Sequence, residues 1–320
     1  MPPRRLVSIA VVSAVLVVAG VAVAIANRGD APERRATVSS TTEPVRPKLV
    51  IVTSTATTLK ATTTTAVTTT LTSTTALTTT TAVPPTMAAS PTTGAVSTGP
   101  LGSLRGRTIA IDPGHDGGNY AHTSDISRPI FIGTQTRACD TTGTETNDGY
   151  TESAYTLDVS LRLRDVLVAA GANVVMTRTT NDGWGPCIDE RAAIGNRAHA
   201  DAAISIHADG GPAGGRGFHV LMPGLVPGYT DDIYAASHSL GVDVRDAFLA
   251  TGMPTSTYYA TQGLAERTDL GGLNLSNVPK VFIETGNMRN ATDAALLKSA
   301  DFRQRAAEDL AVGLNRFLAG

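Results

Sequence analysis

The spacing of apolar and polar residues changes twice along this chain. Residues 6–26 form one uncharged, mostly apolar run behind Arg4 and Arg5. Residues 28–103 carry Thr, Ala, Val and Ser tracts such as Ala61-Thr-Thr-Thr-Thr, followed by Pro84, Pro85, Pro91 and Pro100. From residue 104 onward short alternating runs take turns with longer helical ones. Residues 108–112 alternate and stop at Pro113-Gly114, which predicts a strand entering a tight turn. In residues 153–170, Leu157, Leu161 and Val168, with Leu163, Val166 and Leu167, recur at helical spacing, and Gly171 supplies the stop. Strands are expected at 173–177, 203–207, 217–221 and 280–284. Helices are expected at 189–199, 231–250 and 300–318. Along 203–207, Ile204 and Ile206 fall on one face and Ser205 and His207 on the other.

Strands taking turns with helices predict an α/β fold, a three-layer sandwich with a mostly parallel central sheet and helices on both faces. The expected division is a signal anchor or signal peptide at 1–27, an unfolded Thr/Pro-rich linker at 28–103, and a catalytic domain at 104–320. A helix of residues 6–26 would reach ~30 Å, about one hydrocarbon core. Arg4 and Arg5 would remain in the cytoplasm. The run is longer than the usual signal-peptide core, which favours a retained anchor, while Ala24-Ile25-Ala26 resembles a cleavage site. Both readings mean export to the cell envelope and contact with the membrane through this segment. The linker offers too little to bury against the entropy of ordering. It is either an inert spacer or an extended stalk, and Thr/Ser with Pro makes O-glycosylation one reading of it.

Composition sharpens the boundary. No aromatic residue, His or Cys precedes position 104, and all six His and both Cys follow it. The net charge of −2, with no basic run in the folded part, argues against nucleic acid as a partner. No sustained heptad or sticky strand is visible, so a monomer is expected. In an exported protein, Cys139 and Cys187 most simply form one disulfide, worth up to ~4 kcal/mol in the chain-entropy account.

Four groups stand at the ends of expected elements. His115 follows the first strand, His207 ends the strand 203–207, Glu284 ends the strand 280–284, and Glu152 opens the long helix. The carboxyl ends of parallel strands form the ligand crevice of such sheets. Two imidazoles and a carboxylate there would make a His₂Glu zinc site with an open position, and a second carboxylate could activate water. Taken singly, a histidine at a strand end is more often a structural polar residue, so the constellation alone stops at a zinc hydrolase.

The local sequences carry more. Ile109-Ala-Ile-Asp-Pro-Gly-His115, Tyr150-Thr-Glu152, Arg178, Arg191 with Asn196-Arg-Ala-His-Ala-Asp201, Ile204-Ser-Ile-His-Ala208 and Val281-Phe-Ile-Glu-Thr-Gly286 occur in that order. This set resembles the zinc-dependent N-acetylmuramoyl-L-alanine amidases of type 3 over 104–320, most closely their compact mycobacterial members. The resemblance implies Zn²⁺ held by His115, Glu152 and His207, with Glu284 as the catalytic glutamate. It also implies a peptidoglycan or muropeptide substrate, cut at the amide between N-acetylmuramic acid and L-alanine. A wall-binding module that has lost catalysis and a peptidase acting within the stem peptide are the competing functions. The retained Glu284 argues against the first.

Two departures from the family pattern stand out: Gly286-Asn287-Met-Arg-Asn290 after the last glutamate, and Asp209 where Asn is usual. No amphipathic insertion resembles the helix that plugs the site in some relatives. The polar stretch 119–150 reads as a loop or hairpin over the cleft, or as a passive surface loop. His122 could compete as a ligand, and Glu145 or Asp148 could replace Glu152. His199, His219 and His238 read as structural. Asp112 and Ser205 could orient the ligands. Arg191 serves a salt bridge or a substrate carboxylate, and Trp184 serves packing or a sugar.

Overall fold

The computed structural model describes residues 101–320. The expected anchor and most of the expected linker lie outside the described residues. Leu101 packs against the core and Leu104 is fully buried, so the chain engages the domain from the start of the described region.

The strands are β1 (Thr108–Pro113), β2 (Pro129–Phe131), β3 (Thr136–Ala138), β4 (Asn173–Met176), β5 (Ala202–Asp209), β6 (His219–Pro223), β7 (Leu264–Arg267) and β8 (Lys280–Asn287). The helices are α1 (Thr123–Ile126), α2 (Glu152–Ala169), α3 (Ile188–Arg197), α4 (Tyr234–Phe248), α5 (Gly271–Asn274), α6 (Ala291–Lys298) and α7 (Ala300–Ala319). Six strands form one sheet in the order β4-β1-β5-β8-β6-β7. Every neighbouring pair is parallel except β6 with β8. β2 and β3 form a separate antiparallel hairpin.

The two faces of the sheet differ in side-chain size, and that difference sets the layers. Ile109, Ile111, Ile204, Ile206, Val281 and Ile283 are fully buried on one face, against α2, α4 and α7. At roughly 1.5–3 kcal/mol for each large apolar side chain, this face holds most of the hydrophobic stabilisation. The opposite face presents Ala110 and Ala203, which with Ala200 and Val278 form a small cluster beside α3. Ile204 and Ile206 thus sit on the core face, and Ser205 and His207 on the other, as the alternation requires.

The expected elements all form, with boundaries moved by a few residues. Beyond the short α1, three further pieces escaped prediction: β7, α5 and α6. Leu264-Ala-Glu-Arg267 has neither β-branched residues nor alternation, and α5 is a single turn. Their structure comes from packing against β6, β8 and α3 rather than from local preference.

Candidate active site

β1, β5 and β8 are adjacent in the sheet, and their carboxyl ends converge. β1 delivers His115 through the turn at Gly114. His115 adopts a left-handed backbone with φ of 58°, a conformation a non-glycine residue rarely takes and a common mark of functional positions. β5 places His207 opposite Glu284 of β8. A register shift between His207 and Asp209 lets β8 carry an extra residue there. The Thr285 hydroxyl donates to the His207 carbonyl at 2.8 Å and ties the two strands at the bulge.

Glu152 occupies the first turn of α2, whose N-cap Thr151 accepts a hydrogen bond from the Ala154 amide. A helix N-terminus favours a carboxylate. His115 Nε2 lies 3.2 Å from Glu152 Oε2, and His207 Nδ1 lies 3.0 Å from Glu152 Oε1. One donor atom from each of the three residues lies within 4.8 Å of the others. The carboxylate is buried and further held by the amides of Thr144 at 3.0 Å and Ala208 at 3.2 Å. The two rings meet edge to face with centroids 5.0 Å apart, and Phe282 stacks on His207 at 5.2 Å. His115 Nδ1 faces the Thr141 carbonyl at 3.0 Å. A carbonyl only accepts, so Nδ1 carries a proton and Nε2 is the nitrogen turned toward Glu152.

This donor set suits a divalent transition metal: two imidazole nitrogens and a carboxylate, aimed at one point with an open side toward a cavity. Burial works against a charged imidazole, yet Glu152 and Asp140 outweigh it and raise His115 to about 10. Burial likewise penalises the Glu152 carboxylate, but His115 and then His207 hold it well below the usual range. The buried carboxylate and the two imidazoles are thus strongly coupled to one another.

Two glycines make room for the cluster. A Cβ on Gly114 would come within 2.2 Å of His207 Cε1. One on Gly143, whose φ is +75°, would come within 2.8 Å of His115 Cδ2 and 2.9 Å of Glu152 Oε2.

Glu284 stands beside the cluster rather than in it. Its side chain is partly open to the cleft, while Oε2 is buried without a hydrogen-bond partner among the described residues. Burial, reinforced by Glu152 and Asp209, pushes its pKa well above the ordinary carboxylate range. The cavity here has a volume of about 350 Å³ and is lined by His115, Glu152, His207 and Glu284 together with Asp209 and Arg267. A second cavity of about 360 Å³ shares His115, His207, Arg267, Leu270 and Phe282 with it, and runs on toward Arg137 and Asp269.

The alternatives stay out of the cluster, although His219 pairs across the sheet from Glu284. His122 pairs with Asp125 at 3.0 Å and stacks on Trp184, so neither His122 nor Trp184 lines the cleft. Asp148 pairs with Lys298, and Glu145 meets Thr151 through its backbone. His219 is buried on β6 with its pKa lowered to about 4 by burial, and His238 bonds the Pro223 carbonyl at 3.0 Å. His199 follows the end of α3 in a left-handed conformation, away from the cluster.

Asp112 and Ser205 do not reach the imidazoles. Ser205 donates to Asp112 at 2.6 Å, and Asp112 also binds Arg191 at 2.9 Å and Lys280 at 3.3 Å. Arg191 is buried and serves structure. It bridges Asp112 to Asp140 at 2.9 Å and donates to the carbonyls of Pro113, His115, Gly185 and Pro186. The residues that reach His115 Nδ1 are Asp140, at 3.5 Å, and Thr141. They belong to the stretch 119–150, which is therefore neither passive nor free. It forms the β2–β3 hairpin, and Cys139–Cys187 is a disulfide tying it to the start of α3. The one helix in that stretch, α1, contributes nothing to the cleft lining.

Both departures from the family pattern have structural partners. Tyr258 donates to Asp209 at 2.9 Å, and the Asn287 amide donates to the carbonyls of Pro212 and Gly215, pinning that loop. Arg267 and Asp269 were not found from sequence, because β7 has no strand signal. Asp140 had one available signal: it follows a cysteine whose pairing brings it to Arg191.

The comparisons with known proteins agree with this architecture. The family described as N-acetylmuramoyl-L-alanine amidase matches residues 109–316. The chain is 41% identical over 218 residues to "N-acetylmuramoyl-L-alanine amidase Rv3717" of Mycobacterium tuberculosis, covering 68% of this chain and 88% of that protein. The crystal structure of the amidase Ami1 from Mycobacterium smegmatis superposes with a TM-score of 0.64 at 41% identity, over 68% of this chain and 98% of that one. Ami1 from Mycobacterium abscessus gives 0.63 at 40% identity, over 67% and 99%.

Proposed function

Because this chain belongs to the N-acetylmuramoyl-L-alanine amidase family, we propose that it hydrolyses the amide between N-acetylmuramic acid and the L-alanine of the stem peptide in peptidoglycan. The convergence of His115, Glu152 and His207 beside an unpartnered Glu284 carries this reading.

His115 through Nε2, Glu152 through its carboxylate and His207 through Nδ1 would hold the metal, which we assign as zinc from the nitrogen-rich donor set. Zinc bound there supplies a Lewis acid that polarises the amide carbonyl and makes water nucleophilic at neutral pH. The chain's own groups handle the protons and the geometry. Thr141 and Asp140 hold the His115 tautomer, and the Thr144 and Ala208 amides hold Glu152. Glu284 takes a proton from the attacking water on its carboxylate and returns it to the L-alanine nitrogen, which leaves poorly as an anion. Its raised proton affinity suits the acceptance step.

Residues 6–26 would bring the protein to the cell envelope, as a retained anchor or a cleaved signal, and the enzyme would act as a monomer. The test is mass spectrometry of products from purified muropeptide. Release of the intact stem peptide is expected. Cleavage between amino acids would make the protein a peptidase, and no turnover by zinc-loaded protein would make it a binder. Chelation should abolish turnover and zinc should restore it. It should also lower the melting temperature, because an ion bound only by the folded state stabilises that state.

A further inference from the structure

Arg267, Asp269 and Arg137 form a built cationic wall on the side of the cleft that leads away from Glu284. Arg267, from the end of β7, grips Asp269 with two hydrogen bonds, Nε to Oδ1 at 2.6 Å and Nη2 to Oδ2 at 2.8 Å. Arg137, from β3, holds the same carboxylate through Nη2 and the Asp269 carbonyl through Nε at 3.1 Å. Two segments far apart in sequence are thereby locked together at the cavity edge. Two guanidiniums share one carboxylate, which leaves one positive charge unneutralised. The deeper Asp112 and Asp140 are matched by Arg191 and Lys280, and the anions that share a cavity with Arg267 are Glu152, held by His115 and His207, Asp209 and Glu284. Among the described residues, Nη1 of neither wall arginine has an acceptor. Arg267 lines both cavities, one of which also holds Glu284, and its guanidinium lies 6.0 Å from the centroid of the Tyr259 ring.

The amidase reading says what charge could come there. In the bond to be cut, the lactyl carboxyl of the sugar is already tied up as an amide, so the glycan side offers hydroxyls and acetamides. The peptide side begins at the scissile nitrogen and must end in a carboxylate. A planar guanidinium with a free edge is the side chain best matched to a carboxylate. Asp269 restrains both guanidiniums, so little rotamer freedom is left to lose on binding.

We propose that Arg267, supported by Arg137 through Asp269, is the specificity residue that binds a carboxylate of the stem peptide, and so sets which arm of the substrate lies on the β7 side. This rests on the amidase reading. Arg267 binds substrate and takes no part in the proton transfers.

The test compares two synthetic N-acetylmuramoyl peptides that differ only in bearing free carboxylates or carboxamides, using zinc-loaded protein and the variants R267Q, R267K and R137Q. The wild type should show a KM lower on the acid by about tenfold or more, the scale of a charge-assisted hydrogen bond. That ratio should collapse toward one in R267Q, persist in part in R267K and shrink in R137Q, with kcat moving less than KM. Melting curves check that each variant is folded. Equal KM values in the wild type, a ratio unchanged in R267Q, or a loss confined to kcat would overturn the proposal. Calorimetric binding of the free stem peptide, as acid and as amide, needs no turnover. Discrimination there with no cleavage would leave the arginine site standing and remove the amidase reading. Turnover without discrimination would do the reverse.

Discussion

At the residue scale, each group beside the cluster has one constraint that defines it. Glu284 is the carboxylate without a partner, so its role separates from metal binding. On the proposed reading, E284Q should bind added zinc with the same stoichiometry as the unaltered protein and lose turnover by at least about a hundredfold, as expected for a proton-transfer group. Metal analysis alongside product assay checks both halves. Gly143 is constrained twice, by its left-handed φ of +75° and by the His115 and Glu152 atoms that a Cβ would strike. G143A should therefore weaken zinc affinity by about tenfold to a hundredfold, the cost seen when support of a metal ligand is disturbed. Competition against a chromophoric chelator measures it, and an unchanged affinity would show that the loop yields.

At the element scale, the hairpin region matters more than its polar sequence suggests. Asp140, Thr141, Gly143 and Thr144 all touch the cluster or back it, yet the only covalent tie holding this stretch is Cys139–Cys187. Arg191 supplies the second tie by joining Asp140 to Asp112. The double variant C139S/C187S should lose about 2–4 kcal/mol of stability, measured by denaturant unfolding. Zinc affinity should fall with it, because the supports of His115 and Glu152 loosen together. Loss of stability with zinc affinity intact would mean that the non-covalent ties, Arg191 and Arg137–Asp269 among them, suffice to position the stretch.

At the scale of the whole molecule, the buried charges beneath the sheet's strand ends set how the fold responds to acid. Burial penalises the Asp112 carboxylate, but Lys280, Arg191 and Ser205 outweigh that and depress its pKa far below the usual value. Burial pulls Lys280 down at the same time, so the stabilisation belongs to the carboxylate and its two cations together. Asp140 is depressed as well, through His115 and Arg191 acting against burial. A carboxylate with a lowered folded pKa stabilises above its unfolded value of about 3.9, and that gain is lost as pH falls toward the folded value. Through Asp112 and Asp140 the metal-free protein should lose stability steeply below about pH 4, after a gentler loss below about pH 6.5, where His219, held at about 4 in the fold, gains its proton only on unfolding. Substituting Asp112→Asn should lower stability at neutral pH and flatten that acid slope. An unchanged slope would place the acid sensitivity elsewhere.

The sequence by itself determined the layered α/β plan, because strand and helix periods are local properties that packing then respects. It also pointed to His115, Glu152, His207 and Glu284 as neighbours, since His115, His207 and Glu284 stand at or just past strand ends and Glu152 at a helix start, and a parallel sheet gathers such ends on one edge. Asp140, Arg267 and Asp269 were decided only by the tertiary structure. Nothing in Leu264-Ala-Glu-Arg267 announces a contact with the cleft, and in Arg137-Ala-Cys-Asp140 the cysteine is the one hint. Those contacts exist because β7 pairs with β6, the hairpin is bound to α3, and segments distant in the chain close on one cavity. The roles first considered for Asp112 and Ser205 moved for the same reason. Strand alternation gives the face a side chain occupies, but only the fold shows which neighbour has already taken its hydrogen bonds.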